Sequence, residues 1–109
     1  MDTQPLWTRR AEIMKEMGEL GEMRRGSVVE QFQERVRPDG RIVRHGPYPL
    51  YSYKEKGRTI SRRLKTSEEA DRYRQQIRNF RRFEELTREL VMIGEQLSDA
   101  ETGADKKKD

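Results

Sequence analysis

Ten cations stand between Arg35 and Lys65 against two carboxylates, Asp39 and Glu55, and they recur among tyrosines and hydroxyl residues. That stretch carries +8, which leaves −4 for the rest of a chain whose net charge is +4. Such segregation suits a phosphate-binding surface, because guanidinium and ammonium groups displace the counterions condensed on nucleic acid. Lys54, Lys56, Arg58, Arg63 and Lys65 are the candidates for contact with phosphates or base edges. Arg41 and Arg44 stand beside them, and Ser52, Thr59 and Ser61 add hydroxyl groups. Tyr48, Tyr51 and Tyr53 interleave with these cations in a way that fits base stacking, although Tyr51 and Tyr53 read better as core residues. Arg74, Arg78, Arg81 and Arg82 follow as a stripe at helical spacing, either a solvated face or an extension of the positive surface.

Other chemistries find little support. Cysteine is absent and His45 is the single histidine, so thiolate zinc sites, disulfides, cysteine nucleophiles and histidine clusters are excluded. His45 precedes Gly46 and Pro47, a context that favours a turn role. The carboxylates lie at helical surface spacings beside arginines, where solvated ion pairs are the default. No glycine-rich loop of the phosphate-cradling kind is present. The chain therefore reads as a binding module and not an enzyme, with no metal and no cofactor expected. No apolar run approaches membrane-spanning length, and Met1 to Pro5 has neither the basic nor the apolar part of a signal peptide, so a cytoplasmic protein without a membrane partner is expected.

The elements that must position these groups are those of a thin-cored α+β domain. With 109 residues, 31% of them hydrophobic and 40% charged, the chain suits one small domain whose order depends on a long helix or on a partner. Residues 1–25 read as an N-terminal helix, with Pro5 in its first turn, Leu6, Ile13, Met17 and Leu20 on one stripe, and Gly26 as its stop. Residues 26–65 read as a small basic antiparallel sheet of two to four strands. Ser27 to Arg37 fits strand or helix, Pro38-Asp39-Gly40-Arg41 is a turn, and Ile42-Val43 is a short strand ended by His45-Gly46-Pro47. Tyr48 to Lys54 and Thr59 to Lys65 form a hairpin. If Lys54 pairs with Thr59, then Tyr51, Tyr53, Ile60 and Leu64 share one face. Ser52, Lys54, Thr59, Ser61 and Arg63 share the other, without a large apolar member.

Residues 66–98 read as a long helix opened by Thr66-Ser67-Glu68-Glu69, a capping-box pattern, and residues 99–109, with Gly103 and Lys106 to Lys108, as a disordered tail. Leu86, Leu90, Ile93 and Leu97 on the second half of that helix need an apolar partner. With Ile13, Met17 and Leu20 they form the expected assembly surface, met by the N-terminal helix, by a second protomer in a homodimer, or by a larger protein complex.

Arg25-Gly26-Ser27 followed by Phe32, then His45-Gly46-Pro47-Tyr48, Gly57-Arg58-Thr59 and the run from Asn79 to Leu86 resemble a prokaryotic domain family of uncharacterised role, often found near transposases. In that family an R-G-S start, a cysteine-rich knuckle, an H-G-P-Y motif, a G-K-T-type hairpin and a Y-R-R-type helix follow in this order. Here Val36 to Arg44 contains no cysteine, so the resemblance implies no metal knuckle. A shorter resemblance, over Gly57 to Tyr73, is to the arm-type DNA-binding domains of phage integrases, and it implies DNA contact through the hairpin. Together these readings lead to a nucleic-acid-binding protein of a mobile-element or phage-related system, with DNA favoured over RNA. The alternative is an assembly subunit that docks through its long helix.

Overall fold

The computed structural model describes residues 2–102. The element order is α1 (Gln4–Glu19), β1 (Ser27–Val36), β2 (Ile42–Glu55), β3 (Arg58–Arg63) and α2 (Ser67–Thr102), the expected α+β class. Two compact units are formed, one from Glu22–Phe80 and one from residues 2–21 with 81–102, and α2 contributes to both.

The first unit holds the sheet, antiparallel in the order β1-β2-β3. Lys56 and Gly57 both take positive φ, 50° and 79°, as the tight turn of a right-twisted hairpin requires. That turn sets Lys54 opposite Thr59 and Tyr53 opposite Ile60, the pairing on which the two-face reading of the hairpin depends. Ser27 to Val36 is a strand, which resolves its earlier ambiguity; Val28, Val29 and Val36 favour extended backbone, and β2 lies alongside to pair with it. β2 does not stop at His45 but runs through it to Glu55. The strand survives the Gly46-Pro47 step because an extra residue is taken up there: Gln31 pairs with Tyr48 while Gln33 pairs with His45. One face of this sheet packs on the first half of α2 through Tyr51, Leu64, Ala70, Tyr73 and Ile77, with Val28 and Tyr53 at the margin. Tyr51 is thus a core residue, as expected, whereas Tyr53 is only half-buried at the margin and Ile60 remains 37% exposed.

At the start of α2, the Thr66 hydroxyl accepts from the Glu69 N–H, and the Glu69 carboxylate accepts from the Lys65 N–H. The capping pattern works, with its return bond displaced by one residue.

The second unit pairs α1 with the latter part of α2. Ile13, Leu86, Ile93 and Leu97 are buried together, joined by Leu6, Met17, Leu20 and Leu90. Arg9 donates to both carboxylate oxygens of Glu89, and Arg82 to both of Glu16, so the helices run antiparallel. α1 ends at Glu19, well before Gly26, because Leu20 turns to extended backbone at φ −65°, ψ 136°. Gly18 and Gly21 weaken helix in this stretch. At its other end α2 continues through Asp99 to Thr102, a turn beyond the expected stop at Ser98. No glycine or proline intervenes before Gly103, and the Thr102 hydroxyl donates to the Ser98 carbonyl. Gly103 and Lys106 to Lys108, expected in a disordered tail, lie outside the described residues.

Candidate nucleic-acid interface

Strand alternation and the hairpin register divide the candidates between two faces. Ser52, Lys54, Thr59, Ser61 and Arg63 share the face turned away from α2, where the Ser52 and Ser61 hydroxyls hydrogen-bond at 2.8 Å across the strands. The same face also carries Val29, Tyr48 and Leu50, so the expectation of a face without a large apolar member is corrected. β2 alternates from Tyr48 through Leu50 to Ser52 and Lys54, and β1 sets Val29 opposite Leu50. The Arg63 guanidinium lies over the Tyr48 ring, 3.3 Å from its centroid. Tyr48 is therefore the hairpin tyrosine that stands beside an exposed cation on this face.

Arg58 is opposite Glu55 on the α2 side of the hairpin, so it does not share the face of Lys54. Lys56 is at the tip. Lys65 follows β3 and lines, with Glu30, Tyr48, Arg63, Ser67 and Arg74, a groove of 580 Å³ beside the start of α2, so that one carboxylate borders it.

Beyond the reach of β3, which pairs with β2 only from Leu50 to Glu55, the strands β1 and β2 continue as a two-stranded ribbon. In this ribbon Gln33 pairs with His45 and Arg35 with Val43, while the Arg37 N–H donates to the Arg41 carbonyl at 2.7 Å. These residues make one side, cationic through Arg35, Arg37 and Arg41. The other side holds Glu34 opposite Arg44 and Val36 opposite Ile42, with Arg44 lying 3.7 Å from the Phe32 ring centroid. Arg41 and Arg44, paired in the sequence reading, are thus on opposite sides of the ribbon. The extra residue at Gly46-Pro47 shifts the alternation of β2, whereas that of β1 runs unbroken from Val29 through Gln31 and Gln33 to Arg35.

The charges on the strands follow from this geometry. Glu30, Glu34 and Glu55 are the three carboxylates of the strands. All three stand on the side away from Arg35, Lys54 and Arg63.

The family model described as Domain of unknown function (DUF6788) matches residues 4–75, more than half of the chain. The chain belongs to that family. No curated protein and no solved structure matches it. The DUF6788 match takes in α1, the whole sheet and the first turns of α2.

The helical arginines do not make one further surface. Arg74 lies toward the sheet, with its guanidinium 2.7 Å from the Glu30 carboxylate and 3.3 Å from Asp71. Arg82 belongs to the two-helix unit, bound to Glu16 and near Glu85. Arg78 donates to Gln75 and stays exposed, as does Arg81. The apolar residues expected at an assembly surface, Ile13, Met17, Leu20, Leu86, Leu90, Ile93 and Leu97, are packed against one another within the chain.

Two arginines outside the sequence candidates belong to the sheet unit. The sequence puts Arg24 and Arg25 at the end of the first helix, whereas they lie in the irregular segment between α1 and β1. The Arg24 N–H donates to the Gln76 carbonyl at 3.1 Å, and the Asn79 amide donates to the Glu22 carbonyl at 2.9 Å. The signal that could have found them is Gly26, which takes a φ of 111° directly before β1 and does not end a helix.

Among the described residues no helix is long and apolar enough to cross a membrane. Among the same residues no three His, Cys, Asp or Glu side chains are grouped to hold a metal ion.

Proposed function

We propose that this chain binds duplex DNA through the side of its sheet and ribbon that is free of strand carboxylates. The segregation of charge on the strands carries the reading: Arg35, Lys54 and Arg63 share a side from which Glu30, Glu34 and Glu55 are absent, and Asp39, in the turn at the ribbon's end, lies 3.7 Å from Arg41. A phosphate backbone approaching that side meets cations and the hydroxyls of Ser52, Thr59 and Ser61 without desolvating a strand carboxylate. A two-stranded ribbon has the width that the major groove accepts, so Arg35, Arg37 and Arg41 can enter it while Lys54, Lys56 and Arg63 hold the backbone. RNA is disfavoured because the deep, narrow major groove of an A-form helix closes to such a ribbon. The resemblance to a transposase-associated family supplies the setting, a mobile-element or phage-related system.

Salt dependence tests this directly. Each phosphate contact removed lowers the slope of log affinity against log salt by about 0.9, so Arg35→Gln, Lys54→Gln and Arg63→Gln together should flatten it by roughly 2 to 3 with unchanged circular dichroism. Lys15→Gln with Arg88→Gln removes exposed charge from the two-helix unit and should leave the slope nearly unaltered. Equal loss per charge in both variants would mean unspecific attraction. A complex with another protein that survives high salt, combined with no affinity for DNA, would put the assembly reading in its place.

A further inference from the structure

The other side of the same sheet holds a second cationic feature, and it is concave. Met23, Arg24, Arg25, Tyr51, Tyr53, Arg62 and Phe80 line a cavity of 540 Å³, within the range of small-ligand sites. Three arginines line it, and no carboxylate is among its lining residues.

Two of the three are held in place. The Arg24 side chain donates from Nε to the Oε1 of Gln76 at 3.1 Å and lies 4.1 Å from the Tyr73 ring centroid. Gln76 is buried, and its amide nitrogen is in turn engaged by Glu22 at 3.2 Å. Arg62 donates to the Tyr73 hydroxyl, which holds its guanidinium beside the same ring. Each retains N–H groups beyond these bonds, and Arg25 has no ion-pair partner among the described residues. Glu69, the acid whose charge reaches Arg62, already accepts from the Lys65 N–H. Gly26 brings the arginine pair to the sheet: a Cβ there would collide with the Ser52 carbonyl, and the Arg25 carbonyl accepts from the Tyr51 hydroxyl at 2.6 Å. The R-G-S motif thus has a structural account that the DNA-binding side does not use.

Two guanidiniums held beside one tyrosine ring, with a third arginine lining the same cavity, suit a phosphate, whose oxygens such groups match in pairs. The same cavity presents Tyr53, Phe80 and Met23, which suit the face of a planar ring. We propose that this cavity binds a nucleoside phosphate, either free or as the terminal nucleotide of a strand. The site is separate from the DNA-binding side and stands without it.

Calorimetric titration with adenosine monophosphate, adenosine and inorganic phosphate tests the assignment. Adenosine monophosphate should bind saturably, and each fragment at least about tenfold more weakly, since each lacks one half of the contacts. Arg25→Gln and Arg62→Gln should each weaken adenosine monophosphate about tenfold or more with unchanged circular dichroism. A 5′-phosphorylated single strand that binds more tightly than its 5′-hydroxyl twin, with the preference lost in Arg25→Gln, identifies a strand end as the source. Preference for the free nucleotide alone identifies the other. No saturation by adenosine monophosphate at about 1 mM together with equal binding of the two strands overturns the proposal, as does undiminished binding in both variants. Lys54→Gln with Arg63→Gln keeps the two sites distinguishable: it should reduce duplex affinity and leave adenosine monophosphate binding intact.

Discussion

Gly46 shows how one residue can decide which side chains share a face. Its φ is 119°, and a Cβ there would stand 2.9 Å from the Gln31 carbonyl, so glycine is required on both conformational and steric grounds. Gly40 also has positive φ, 85°, but has open space around it. Gly46→Ala should therefore cost about 1 to 3 kcal/mol, read from the urea midpoint at constant slope, and Gly40→Ala distinctly less. Equal effects would mean that the contact with β1 is unimportant. The H-G-P-Y motif was legible as a turn signal, and its glycine and proline do interrupt regular pairing. That they interrupt it by one residue, and so shift the face of every β2 residue before them, depends on what β1 offers as a partner and is not written locally.

At the level of elements, α2 was the most legible. Its apolar residues recur at three and four residue steps and its first turn is capped, so its existence needs no tertiary information. Its continuation past Ser98 follows from the lack of glycine and proline between Asp99 and Thr102. What its second half packs against was open between α1 and a second chain, and α1 supplies the partner in the described structure. Leu86 is fully buried in that pairing, whereas Val91 is 57% exposed. Leu86→Ala should then destabilise by about 2 to 5 kcal/mol, depending on how far the cavity collapses. Val91→Ala should stay within about 0.5 kcal/mol, and thermal melts of both variants decide whether the helix face has been assigned correctly.

For the whole molecule, the distribution of charge matters more than the net +4. Glu16 and Glu89 are held below the ordinary glutamate range by hydrogen bonds from Arg82 and Arg9 respectively, against the opposing effect of desolvation. A carboxylate lowered by folding contributes stability above its unfolded pKa, and the contribution is lost as pH falls through the lower folded value. Acidification below about pH 4 should therefore loosen the α1–α2 pairing, with faster hydrogen exchange in α1. Glu16→Gln with Glu89→Gln should already show much of that loosening at neutral pH and respond less to acid. Identical acid profiles for parent and variant would rule these pairs out as its cause.

Composition, residue spacing and turn chemistry by themselves determined the α+β class and the place of the β2–β3 hairpin and its turn. These features depend on neighbours within a few residues, where alternation, capping and φ preferences act directly. The tertiary structure alone decided that Arg74 faces a carboxylate, that Arg41 and Arg44 part company, and that Arg24 and Arg25 join Arg62 around a cavity. Each of those outcomes rests on a long-range pairing: β1 with β2, β1 with α2, or the segment before β1 with α2. A linear pattern states which residues are cationic, and only the pairing of distant segments states which cations share a surface.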